Sequence, residues 1–193
     1  MEPTTDLFTD RYGIPKYAGQ RMAKADFLHW ESDDNYVYEY NNGTLEPTTS
    51  MRQDEDYLLT NLENHFFQTD AFKEGSRLRA EMDIWLTEKQ MRRHDVSYFT
   101  ADQLKGMAAG ENEIAKFTIE FSSESDDMAK SIKNYTRILR QAFRWCGGFY
   151  PLFKEVYVYT SPKTVTICTD TDILNAAPAL PELQLTVDEL FRR

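Results

Sequence analysis

The chain has 193 residues, a hydrophobic fraction of 41%, a charged fraction of 28% and a formal net charge of -10. That length and balance suit one globular domain with a sizeable core and exclude a disordered chain. No apolar run approaches the ~18 residues a bilayer-spanning helix needs.

Residues 1–21 read as an irregular arm, with Gly13, Pro15 and Gly19 interrupting any period. They are acidic at the start and lack a basic-then-apolar leader pattern, so a cytoplasmic location is expected. Cys146 and Cys168 have no metal-type spacing, which suits reduced thiols. A single domain is expected over 22–193. It opens with a short amphipathic helix over Met22–Trp30. Tyr36–Tyr40 then alternates as a strand, Asn42-Gly43 supplies a tight turn, and Thr44–Glu46 pairs back.

Ser50 and Gln53 match a capping box ahead of a helix over Met51–Phe72, whose buried stripe is Leu58, Leu59, Leu62 and Phe66. His65, beside that stripe, has no partner one turn away and reads as a packed or surface residue. Strands are predicted over Leu78–Leu86, in two parts, and over Asp95–Phe99. Thr100 and Gln103 then cap a short helix ending near Gly106, a loop spans Ala108–Asn112, and Phe117–Phe121 is a further strand. Asp126–Ala142 reads as a helix with acidic residues at its start, ended by Gly147-Gly148 and Pro151. Glu155–Thr160 and Thr164–Cys168 form a second hairpin, turned by Ser161-Pro162-Lys163. A proline-punctuated loop (Pro178, Pro181) leads to a last helix capped by Thr186 and Glu189.

Two acids stand out against this pattern. Asp95 opens one β-branched run and Glu120 lies near the end of another, so neighbouring strands could bring both carboxylates to one sheet edge and hold a divalent cation. The plainer alternative is that both are turn or solvent-edge residues. Ser123 and Ser125 either orient a carboxylate or cap the following helix. Arg92, Arg93, Lys130, Lys133, Arg137, Arg140 and Arg144 cluster around this region in sequence. They are either a nucleic-acid-facing patch within an acidic chain or a solvated helix face. No phosphate-binding glycine loop, nucleophile elbow or His-x-x-x-His pair occurs.

The order of segments resembles the Uma-two family of restriction-endonuclease-like proteins. The matching features are Tyr38, Glu39 and Gly43 in the first hairpin, Asp95-Val96-Ser97, and Ile119-Glu120-Phe121-Ser122-Ser123-Glu124-Ser125. Val156-Tyr157-Val158-Tyr159 with its Ser-Pro-Lys turn and the closing Leu180-Pro181 and Leu190-Phe191 follow in the same order. The resemblance implies a three-layer α/β/α domain with a mixed central sheet and a PD-(D/E)XK-type site. It further implies Mg²⁺-dependent cleavage of nucleic acid. Mn²⁺ is the alternative ion and DNA the first substrate expected, and a homodimer is expected because many nucleases that cut both strands act as dimers. Carried over by position, Asp95 and Glu120 are the metal-binding acids and Glu39 an early acid at the edge of the site. Three positions depart from the pattern. His94 and Glu124 stand where prolines are usual, and Asn134 where the family's helix lysine is expected. Lys130 shares the helical face of Asn134 and Lys133 adjoins it, so Lys130 and Lys133 are the candidate cations, Lys130 first. Besides the nuclease, two other classes fit: a catalytically silent member that binds nucleic acid or protein, and an acidic interaction protein with no nucleic-acid role.

Overall fold

The computed structural model describes residues 13–122 and 146–193. These fall into two compact units. The first comprises the chain up to Ser50 together with Trp85–Arg92, and the second comprises Met51–Ile84 and Arg93–Arg193.

In the first unit a single turn of helix, α1 (Lys24–Phe27), precedes the hairpin β1 (Val37–Asn41) and β2 (Thr44–Thr48). The amphipathic pattern over 22–30 thus yields four helical residues, with Ala23 as a cap that makes no side-chain bond. Asn42 (φ 51°) and Gly43 (φ 84°) both take left-handed backbone, which is what the two-residue turn requires. The arm is not loose where it reaches the sheet. Gly19 N–H donates to the Leu45 carbonyl and Leu45 N–H to that of Gln20, both within 2.9 Å, and Arg21 bridges Thr44. Tyr38, Tyr40, Leu45 and Met91 are buried beneath Tyr17, Phe27, Trp30 and Trp85, an aromatic core of its own.

The hairpin of β3 (Arg77–Thr87) and β4 (Gln90–Phe99) contributes residues to both units. Both strands are longer than predicted. Leu78–Leu86 is one continuous strand, and the charged stretch before Asp95 is also strand. Lone charged residues on a half-buried strand are tolerated when each finds a partner, and Arg92 and Arg93 do.

In the second unit β4 runs antiparallel to β5 (Phe117–Phe121), β5 parallel to β6 (Cys146–Tyr150), and β6, β7 (Glu155–Ser161) and β8 (Thr164–Thr169) antiparallel to one another. The result is a large mixed sheet in a mixed α/β fold, as expected. One face carries Val96, Tyr98, Phe117, Ile119, Phe121, Phe149, Val156 and Val158. On it pack Leu58, Leu62 and Phe66 of α2 (Asp56–Phe66) and Val187 and Leu190 of α5 (Val187–Leu190). Full burial of each such side chain is worth about 1.5–3 kcal/mol. α4 (Ala101–Ala108) begins at the Thr100–Gln103 capping box, as read from the sequence.

Three further expectations change. The helix over Met51–Phe72 is two helices, α2 and α3 (Asp70–Lys73). Ser50 caps nothing, because the Arg52 N–H is taken by Glu55 and that of Met51 by Glu81. The Thr69 hydroxyl accepts from Phe72 N–H at 3.1 Å and starts α3 afresh. Gly147-Gly148 does not terminate a segment but lies inside β6, a fully buried strand in which alternation is not required. The proline-rich stretch is a second, two-stranded sheet of β9 (Ile173–Ala176) and β10 (Leu180–Thr186). Pro181 sits where the register shifts between Leu180 and Gln184, so its missing N–H costs no ladder bond. The helix expected over Asp126–Ala142 lies outside the described residues.

Candidate acidic site at the end of the β4–β5 ladder

The site begins where regular pairing stops. The β4–β5 ladder runs Tyr98 opposite Phe117, Ser97 opposite Thr118 and Val96 opposite Ile119. Asp95 and Glu120 are the next residues on each strand. There a side chain replaces the backbone partner: Asp95 Oδ2 accepts from the Phe121 N–H at 2.5 Å. A charge-assisted bond of this kind fixes the carboxylate without a flexible side chain as donor. Glu120 is fixed from the other direction. His94 donates from Nδ1 to Glu120 Oε1 at 2.5 Å, and the histidine side chain is only 2% exposed. On β6 the register partner of Glu120 is Gly148, so no side chain stands beside Glu120 on that strand.

Among the described residues, the charges that act on Asp95 are acidic. Burial, first, and then the charge of Glu120 hold the Asp95 carboxyl well above the usual aspartate range. Glu55 and Glu81 add to the rise, and the Phe121 N–H opposes it. Glu55 lies at the start of α2, 6% exposed and paired with Arg52. Within β3, Glu81 takes a left-handed backbone (φ 49°) and accepts from the Met51 N–H. A non-glycine residue held there costs of order 1–3 kcal/mol, the kind of strain found where a side chain must be re-aimed. Cys146 senses the same field. Burial and then Glu120 push its thiol far above the ordinary value, so it is no nucleophile.

Two carboxylates suit a hard divalent cation, because Mg²⁺ binds through one or two carboxylates and retains waters. A structural zinc site built from Cys and His is not what this pair offers. Among the described residues, no three or more His, Cys, Asp and Glu side chains gather into a complete metal site. An ion held by these two acids alone would leave the rest of its shell to water or substrate.

Of the residues singled out in the sequence, Asp95 and Glu120 come together at this ladder end. Glu39 belongs to the first unit, where Arg92 binds it. Ser123, Lys130, Lys133 and Asn134 lie outside the described residues. Sequence reasoning missed His94, Glu55 and Glu81. The departure at His94 was the one available signal, since a histidine beside a strand aspartate has chemistry that a proline lacks.

No protein-family model matches the chain, and no curated protein does. A solved structure does match, the crystal structure of a "putative nuclease belonging to DUF820" from Anabaena variabilis ATCC 29413. The TM-score is 0.74 at 16% sequence identity, covering 88% of this chain and 97% of that one. The two chains share a fold. At that identity the likeness concerns the course of the backbone, and the chemistry has to be argued from the residues of this chain.

Proposed function

We propose that the chain is a metal-dependent nuclease that hydrolyses phosphodiester bonds, with Asp95 and Glu120 as its acidic centre. The observation that carries this reading is their placement. The two carboxylates follow the last β4–β5 pair and are steered separately by the Phe121 N–H and by His94. Their mutual repulsion is the term a bound cation relieves. The fold shared with the Anabaena protein supports the same reading.

Asp95 and Glu120 would hold Mg²⁺ or Mn²⁺. When bound, such an ion polarises a phosphate oxygen and lowers the pKa of a coordinated water. The chain's own part is positional. The Phe121 N–H keeps Asp95 in one rotamer, and His94 keeps Glu120 turned toward β4. Because both supports are short and come from strands, the acids stay in place before substrate arrives, which is the preorganisation catalysis needs. Lys130, and after it Lys133, are the candidates to stabilise charge on the phosphate, and DNA is the first substrate to try. Cutting both strands would call for a homodimer.

The test is cleavage of plasmid DNA, and of an RNA of matched length, with Mg²⁺ or Mn²⁺ and in EDTA. The unaltered chain is set beside a double variant, Asp95→Asn with Glu120→Gln. Metal-dependent cleavage lost in the variant is the expected result. Nucleic-acid binding without cleavage by the unaltered chain would overturn the enzyme and leave a binding module.

A further inference from the structure

The first unit contains a cavity of about 680 Å³ that the acidic site does not use. It lies among three segments: the arm at Arg21–Lys24, the Asn42-Gly43 turn and the Glu88-Lys89 turn. In a chain of net charge -10, three cations (Arg21, Lys24 and Lys89) line it against a single carboxylate, Glu88. That carboxylate is already taken by Lys24, whose Nζ lies 2.6 Å from it and 4.3 Å from the centre of the Trp85 ring. Among the described residues, Arg21 and Lys89 have no carboxylate partner. Among the same residues, the Arg21 guanidinium makes a long contact of 3.4 Å to the Asn42 carbonyl.

The frame around these cations is built rather than incidental. The Asn42 N–H donates to the Lys89 carbonyl at 2.7 Å and the Met22 N–H to that of Gly43 at 2.9 Å, so the three segments are tied together. Gly43 serves twice. Its positive φ makes the turn, and a Cβ there would stand 3.3 Å from Arg21 Nη2, crowding the guanidinium. The wall holds Tyr40 and Met22, joined by the Tyr40 hydroxyl donating to the Met22 carbonyl at 3.1 Å. An open cleft that presents a guanidinium and two ammonium groups against a single carboxylate suits an anion with several oxygens, above all phosphate.

We infer that this cleft binds backbone phosphates of the polynucleotide, with Arg21 and Lys89 as the contacting cations and Lys24 as a cation held in reserve by Glu88. The inference rests on the nucleic-acid reading of the chain and deepens it: affinity for substrate comes from a site whose residues differ from the acidic centre. It also accounts for how so acidic a chain holds a polyanion, since a local basic site on a rigid frame suffices.

The experiment measures binding of a labelled duplex, and of its single strand, by fluorescence anisotropy in EDTA across a salt series. The proteins are the unaltered chain, Arg21→Ala with Lys89→Ala, and the charge-conserving Arg21→Lys with Lys89→Arg. A fourth, Lys116→Ala with Lys163→Ala, removes the same charge from exposed positions elsewhere. The alanine pair at the cleft is expected to weaken binding about tenfold or more and to lower the salt slope by about 2, one for each lost phosphate contact. The charge-conserving pair retains binding, and all variants keep the melting temperature of the unaltered chain. Equal loss in the remote pair would reduce the effect to net charge and overturn the inference. So would free inorganic phosphate stabilising the chain through Arg21 and Lys89 while polynucleotide binding is indifferent to them. If the unaltered chain binds polynucleotide and the cleft variants bind equally well, this inference alone fails. If the unaltered chain binds none, the nuclease reading fails with it.

Discussion

Arg92→Met should destabilise the protein more than any other single charge removal in the first unit. Glu39 and Glu46 are register partners on β1 and β2, so two like charges face each other, an arrangement that is unfavourable by itself. Arg92 resolves it from β4. Its Nη1 donates to Glu39 and, at 2.6 Å, to Glu46, and its side chain is 5% exposed. Burial opposes the charge on Arg92, but the two carboxylates outweigh it and hold the guanidinium above its ordinary value. Methionine keeps most of the volume and removes the cation between two facing carboxylates. Breaking a buried pair typically costs about 3–5 kcal/mol. Glu46 is 37% exposed, so water recovers part of this, and the low end, about 3 kcal/mol, is the expected loss. For a chain of this size that is a fall in Tm of about 6–12 °C. Adding Glu39→Gln and Glu46→Gln should recover most of it, since the set then carries no charge and the like-charge repulsion across β1 and β2 is gone. Chemical unfolding of the three proteins decides the matter. An Arg92→Met protein as stable as its parent, or a triple variant weaker than the single one, would refute the reasoning.

Thr100→Ala should cost about 1 kcal/mol by removing the α4 cap, in which the Thr100 hydroxyl accepts from the Gln103 N–H at 3.3 Å; urea unfolding reads it. Leu58→Ala, at a fully buried position of α2, should cost about 2–5 kcal/mol in the same assay. Asp95 gives a pH dependence of definite sign. Its folded-state pKa is raised by burial and then by Glu120, so the stability linked to it is complete below the unfolded value of about 3.9 and is lost as pH rises through the folded value. Without metal, Asp95→Asn should therefore be more stable than the parent at neutral pH, and the advantage should shrink on acidification. A variant less stable at neutral pH in EDTA would contradict the charge crowding described here.

What could be read from the sequence was the part governed by local rules. The Asn42-Gly43 turn, the capping pairs at Thr100 and Thr186, and the aromatic and β-branched runs of β5 and β7 each state their own structure. What failed was set by tertiary partners. Gly147-Gly148 is strand because β5 and β7 flank it, against the propensity of glycine. Residues 51–55 stay out of the helix because Glu81, thirty positions away, captures the Met51 N–H. The acidic pair was legible because each acid opens or closes an apolar run. Its supports were not, since nothing local marks His94 as the partner of Glu120 or brings Glu55 and Glu81 into the field of Asp95.

The central claim is that Asp95 and Glu120 together form a divalent-cation site. A melting series in rising Mn²⁺ and Mg²⁺ tests it without requiring a substrate. At a metal concentration about one hundred times Kd the unaltered chain should gain about 2.7 kcal/mol, or about 5–11 °C in Tm. Asp95→Asn and Glu120→Gln should each lose that gain while remaining folded. An equal gain in all three proteins, or none in the unaltered chain at saturating metal, would contradict the account.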